Sequence, residues 1–183
     1  MSDSNKKYGH DWARVCGDSE GLLTLSLVEF FTNKGKHFYY TGRSDISGAG
    51  TTIYTMFTTP AVGKVHAAAR FNSEAEFTID MYEGAVVTDN GTEIPTFNSN
   101  RSSDTVAGLK VYVAPTFSDI GDLIWVGRVG AGRDATVARD YSYSIAKPST
   151  NYIFKTVKAT GGGHFLDTRV AWFEHESFHR CTE

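Results

Sequence analysis

The chain has 183 residues, with 18 Gly, only 4 Pro, 13% aromatic side chains and a formal net charge of −3. That length suits one domain able to bury a core without disulfides or metals. The slightly acidic balance excludes a global field that would draw it onto nucleic acid or an anionic membrane.

Residues 1–20 are polar, show neither helix nor strand period, and carry Lys6, Lys7, Arg14 and a lone Trp12, which reads as an N-terminal arm with one aromatic anchor. In residues 21–31, Leu23, Leu25 and Leu27 alternate while Leu22 and Val28 fill the other face, the pattern of a strand covered on both sides. This run is interrupted by Glu29, lacks a small-residue cleavage site, and is far shorter than the ~20 apolar residues of a membrane span. A soluble, unexported protein is therefore expected. The division predicted is residues 1–35, arm and first apolar segment, and residues 36–183, a β-domain.

From Lys36 the period-2 grammar of strands is regular. Residues 37–41, 51–57, 65–71, 75–82, 109–113, 123–129, 141–145, 152–157 and 165–173 each read as strands, rich in β-branched and aromatic residues. Gly42-Arg43-Ser44-Asp45 reads as a turn region after the first. Asn72-Ser73 and the Gly161-Gly162-Gly163 stretch read as hairpin turns. Phe77, Ile79 and Met81 oppose Glu76, Thr78 and Asp80, and in the last strand Leu166, Thr168, Val170 and Trp172 oppose Asp167, Arg169 and Ala171. Strands with one wet face belong to antiparallel sheets. The fold class predicted is all-β, a single-domain, jelly-roll-like two-sheet β-sandwich, with an immunoglobulin-like sandwich as the alternative.

Three patterns hint at chemistry. His175-Glu176-Ser177-Phe178-His179 fits H-E-x-x-H, which on a helix would place two imidazoles on zinc. It starts at a strand end and only four residues follow His179, so a surface tail is the better reading, and no metal or other cofactor is expected. Gly127 to Asp134 spaces glycines as in a phosphate loop, but Arg133-Asp134 stands where Lys and Ser/Thr are required. A glycine-rich strand exit fits better. Cys16 and Cys181 sit near opposite ends and read as reduced thiols, although pairing is open to them if the termini meet. Tyr39, Tyr40, Tyr141 and Tyr143 offer a sugar-stacking platform as a weaker alternative to ordinary sandwich packing. No nucleophile, base and orienter come together in the sequence, so no enzyme is expected.

The strand at residues 75–82 runs into a long polar loop. Asp89-Asn90-Gly91 supplies a turn, and Asn98-Ser99-Asn100-Arg101-Ser102-Ser103 follows almost without apolar residues. Either its side chains bond their own backbone, or Arg101 pairs with a carboxylate on a partner. The order Tyr82-Glu83-Gly84, Asn90-Gly91-Thr92, Asn98 to Ser102, Arg128 to Arg133, Lys147 to Tyr152 and Trp172-Phe173-Glu174-His175 resembles a family of small tailed-bacteriophage virion proteins. Several members of that family decorate or cement the capsid. Residues 1–35 lie outside the resemblance, and Asn98-Ser99 stands where an Asn-Arg pair is common.

The resemblance implies a structural virion protein on the outer surface of a phage capsid, made in the host cytoplasm. It would bridge neighbouring major capsid subunits, as a dimer or trimer, without nucleic acid or membrane as partner. Trp12, Leu23 and Leu25 in the arm and Asn98, Asn100 and Arg101 in the loop are the candidate contact residues. The alternative is a carbohydrate-binding β-sandwich of a phage tail or adhesin.

Overall fold

The computed structural model describes residues 16–18, 21–23, 27–130, 144–159 and 161–176. In chain order the elements are β1 (Cys16–Asp18), β2 (Gly21–Leu23), α1 (Leu27–Asn33), β3 (His37–Ile46), β4 (Thr52–Thr58), β5 (Lys64–Ser73) and β6 (Phe77–Glu83). Then come β7 (Val86–Asp89), β8 (Thr92–Ile94), β9 (Phe97–Asn98), β10 (Lys110–Val113), β11 (Thr116–Asp119), β12 (Asp122–Val129), β13 (Ser144–Ala146), β14 (Asn151–Lys158) and β15 (His164–His175).

Two sheets make the sandwich: a six-stranded sheet ordered β12-β6-β14-β4-β10-β8 and a five-stranded sheet ordered β13-β5-β15-β3-β9. Eight of these strands pair as nested antiparallel hairpins, β3 with β15, β4 with β14, β5 with β13 and β6 with β12. First meets last and second meets next-to-last, with alternate pairs in opposite sheets. A long hairpin rolled up in this way is a jelly roll, and the nesting distinguishes it from an immunoglobulin-like sandwich.

The alternating residues explain the layers. Phe77 and Ile79 on β6, Phe71 on β5, Phe38 on β3 and Leu166 and Trp172 on β15 are almost wholly buried between the sheets. A second, smaller core of Met56, Ala85 and Ile153 lies on the outer face of the six-stranded sheet. There Val87 of β7 and Phe117 of β11 cover it, with Phe117 edge-on to Tyr54 at 5.1 Å. Both faces of β4 and β14 are therefore dry, which is why their patterns contain runs of buried residues.

The tip of the rolled hairpin, between β6 and β12, is the long loop of the sequence. It is more structured than expected. β10 pairs with β4 and β8 with β10, extending one sheet, while β9 pairs with β3 and extends the other.

Four expectations are corrected. Asn72-Ser73 is not a hairpin turn, because β5 and β6 lie in different sheets; Ser73 Oγ donates to Phe165 O at 2.8 Å and accepts the Ala75 N–H, turning the chain from one layer to the other. The glycine stretch 161–163 likewise joins β14 and β15 across the layers.

Gly42 to Asp45 continues β3 rather than turning. Gly42 is required inside the strand because the Tyr40 ring folds over it, and a Cβ there would meet Tyr40 Oη at 2.0 Å. Residues 21–31 are not one strand: β2 is followed by α1. The helix places Phe31 flat on Phe173, ring centroids 4.4 Å apart, and that packing supports a segment too short to be helical alone.

Candidate contact site

Helix α1 stops at Gly35, which has φ 64°. The Gly35 N–H bonds Thr32 O and the Lys36 N–H bonds Phe31 O, the paired bonds of a Schellman cap. This stop seats the loop after β9. A Cβ at Gly35 would meet Ser103 Oγ at 2.3 Å, and the Asn98 amide donates to Gly35 O at 2.9 Å and to Thr105 O at 3.0 Å.

The loop is fastened along its length. Asn98 Oδ1 accepts the Asn100 N–H, Asn100 Oδ1 accepts the Ser102 N–H, and Ser103 Oγ accepts the Thr105 N–H. Ser99 N–H bonds His37 O, and Ser99 Oγ lies 2.7 Å from His37 Nδ1. At the far end the Glu174 carboxylate accepts the N–H groups of Gly108 and Leu109 and the indole N–H of Trp172. Burial, and then the Arg169 guanidinium, holds the His37 imidazole below its ordinary range, which favours the neutral ring in this packing.

What the fastened loop presents is an arginine and aromatic row. The Arg101 guanidinium lies 5.6 Å from the Phe97 ring centroid, Phe97 lies 5.6 Å from Tyr39, and the Arg169 guanidinium lies 5.5 Å from Tyr39. Tyr39 pairs with Phe97 across β3 and β9, and Arg169 follows on β15. Arg43 continues the row, held by Asp167 in a two-bond ion pair at 2.7 and 3.0 Å. Each guanidinium over a ring contributes about 0.5–1 kcal/mol at an exposed site. The row is locally cationic on an acidic chain. A shallow hollow of about 250 Å³ beside it is lined by Phe38, Phe97, Arg101 and Asp104 among others. That is below the ~300–1,000 Å³ of small-molecule sites.

Of the predicted contact residues, Arg101 is exposed in this row, while Asn98 and Asn100 direct their amides into the loop itself and position it. Trp12 and Leu25 lie outside the described residues. Leu23 ends β2, paired with Cys16, and its side chain lies outside what is described, as do Tyr141, Tyr143, residues 131–134 and Cys181. Tyr40 faces the core, opposite to Tyr39, so the two do not share a platform.

His175 closes β15 in extended form instead of opening a helix, and residues 177–179 of the H-E-x-x-H stretch lie outside the described residues. Its Nε2 meets His66 Nε2 at 2.9 Å, a histidine pair that sequence reading missed because alternation puts His66 on the face of β5 opposite Val65 and Phe71, which reads as wet although His66 is buried. Burial, with His175 and Lys64 adding to it, pushes the His66 imidazole down to about 4. Among the described residues no three His, Cys, Asp or Glu side chains gather as a metal site, and no helix is long and apolar enough to cross a membrane.

A second surface was also missed. On β12, Leu123, Ile124, Trp125 and Val126 are 52%, 48%, 38% and 62% exposed. Among the described residues β12 has one neighbour, β6, and forms the edge of the six-stranded sheet. Such a run on a sheet edge marks an interaction surface, because solvated edges usually carry charges or Pro.

No protein-family model matches the chain, and no curated protein matches its sequence.

Proposed function

We propose that the chain is a structural virion protein that decorates the outer surface of a bacteriophage capsid and cements neighbouring major capsid subunits. The observation that carries this reading is the loop at residues 97–109, fastened at both ends and along its length, which holds Arg101 and Phe97 ready on one face. A long loop costs entropy to order, about 1–2 kcal/mol per residue. Ordering it before contact removes that cost from binding, so a preordered exposed loop suits a contact surface better than a linker.

The arginine row supplies charge-assisted bonds to carboxylates on the shell, and Phe97 supplies apolar area beside them. Each such contact is modest. Many copies, each touching two capsid subunits, oppose subunit separation together. The jelly roll is compatible with this role, since it recurs in viral capsid domains, but it hosts lectins as well and does not select between them. For the carbohydrate alternative, the aromatic faces of Phe97 and Tyr39 would have to be open to a sugar, and each carries a guanidinium. Cryo-electron microscopy of the virions tests the reading: density for this sandwich on the outer shell, bridging subunits through residues 97–109, supports it. Its absence from the shell overturns it.

A further inference from the structure

The β12 edge has an internal symmetry. Its sequence runs Asp122-Leu123-Ile124-Trp125-Val126-Gly127-Arg128: an acid at one end, an apolar centre, and a base at the other. Asp122 and Arg128 are both exposed and each stands three residues from Trp125. An antiparallel copy of the same strand, rotated about an axis through Trp125, sets each Asp122 opposite the other copy's Arg128. A contact in which one patch meets itself requires this self-complementarity, whereas a foreign partner would impose no symmetry on the strand.

We propose that β12 is the contact between two copies of this chain related by a twofold axis at Trp125. The apolar residues 123–126 form its dry centre and the two Asp122–Arg128 pairs form its ends. The contact is made by side chains more than by a continued hydrogen-bond ladder. The register with β6 shifts between Leu123 and Trp125, and such a bulge bends the strand and interrupts further pairing. The far edge of the Trp125 indole reaches over Gly127, where a Cβ would meet it at 2.1 Å, and the side chain stays 38% exposed at the axis. Arg128 already holds Glu76 at 3.0 Å at the surface, and its planar fork has further N–H groups for the partner's carboxylate. This dimer goes beyond the shell reading and stands without it: it forms in free solution, whereas decoration needs the capsid.

Sedimentation equilibrium of the purified full chain at micromolar concentration tests it. The wild type is expected to be a dimer. Asp122→Arg and Arg128→Asp each create two like-charged pairs per dimer and weaken association by roughly tenfold or more. Mixed in equal amounts, the two variants restore both ion pairs, so the mixture regains a heterodimer that neither variant forms alone. Val126→Lys, at a site already 62% exposed, gives a folded monomer and decides the matter should either charge variant fail to fold. A wild-type monomer or trimer overturns the proposal. So do wild-type-like dimerisation of Val126→Lys or of the single charge variants, and a mixture that stays unassociated.

Discussion

The Glu174 carboxylate accepts the indole N–H of Trp172 at 2.9 Å while the same oxygens hold the Gly108 and Leu109 N–H groups. One side chain thereby ties Trp172, the largest fully buried side chain among the described residues, to the loop that carries Arg101. Its removal leaves a buried indole donor unsatisfied and releases the loop end. Glu174→Ala is expected to lose about 2–3 kcal/mol of stability, read from the urea midpoint, and Glu174→Gln, which keeps one acceptor oxygen, about half of that. Equal losses would show that the charge, and not the number of acceptor sites, holds the loop.

Glycine at position 35 answers two demands at once, a left-handed backbone and a close approach to Ser103. Gly50 answers only the first, with φ 78° and open space around its Cα. Gly35→Ala should therefore cost more than Gly50→Ala, for which only the backbone penalty of about 1–2 kcal/mol applies. Urea unfolding of the two variants gives the comparison directly. Equal costs would mean that the Ser103 side chain simply rotates away.

Burial of His66 is expected to make the fold acid-sensitive. The His66 imidazole falls to about 4 from an ordinary 6.5, so the unfolded chain binds the proton more readily than the folded one between those values. Stability from this group is complete above pH 6.5 and is lost as pH falls from 6.5 through about 4. After allowance for solvent screening it amounts to about 1–2 kcal/mol. His66→Leu should flatten the decline in urea midpoint over that window. An unchanged slope would assign the acid sensitivity to other groups.

The strands and their faces were legible because β6 and β15 each keep one dry and one wetter face, which writes period two into the residues. The jelly roll also was named from the residues, but three of its turns were misread. Asn72-Ser73 has the chemistry of a turn, yet nothing local says whether the next strand returns to its own sheet or crosses to the other. That choice is made by Phe71 and Phe77 sharing one core. Gly42 to Asp45 looked like a turn because the residues that accommodate it there, Tyr40 over Gly42 and Asp167 against Arg43, act through folding over and through a partner 124 residues away. The loop at 98–103 was legible as a long polar connection with Arg101 at its tip. Its fastening by Glu174 was not, since a lone Glu at a strand end carries no signal of what it will accept. Residues 123–129 read only as a strand, and it is the strand order that reveals β12 as an edge.

The central claim is that the arginine and aromatic row on the loop side of the sandwich binds the shell, and co-sedimentation with isolated, undecorated heads measures it most directly. Arg101→Ala and Arg169→Ala alter exposed residues, so each is expected to cost no more than the ~0.5–1 kcal/mol of its own guanidinium–ring contact. The double variant should lose roughly tenfold or more in affinity for the heads, and wild-type binding should weaken as salt is raised. A double variant that saturates the heads at wild-type concentrations would contradict the account.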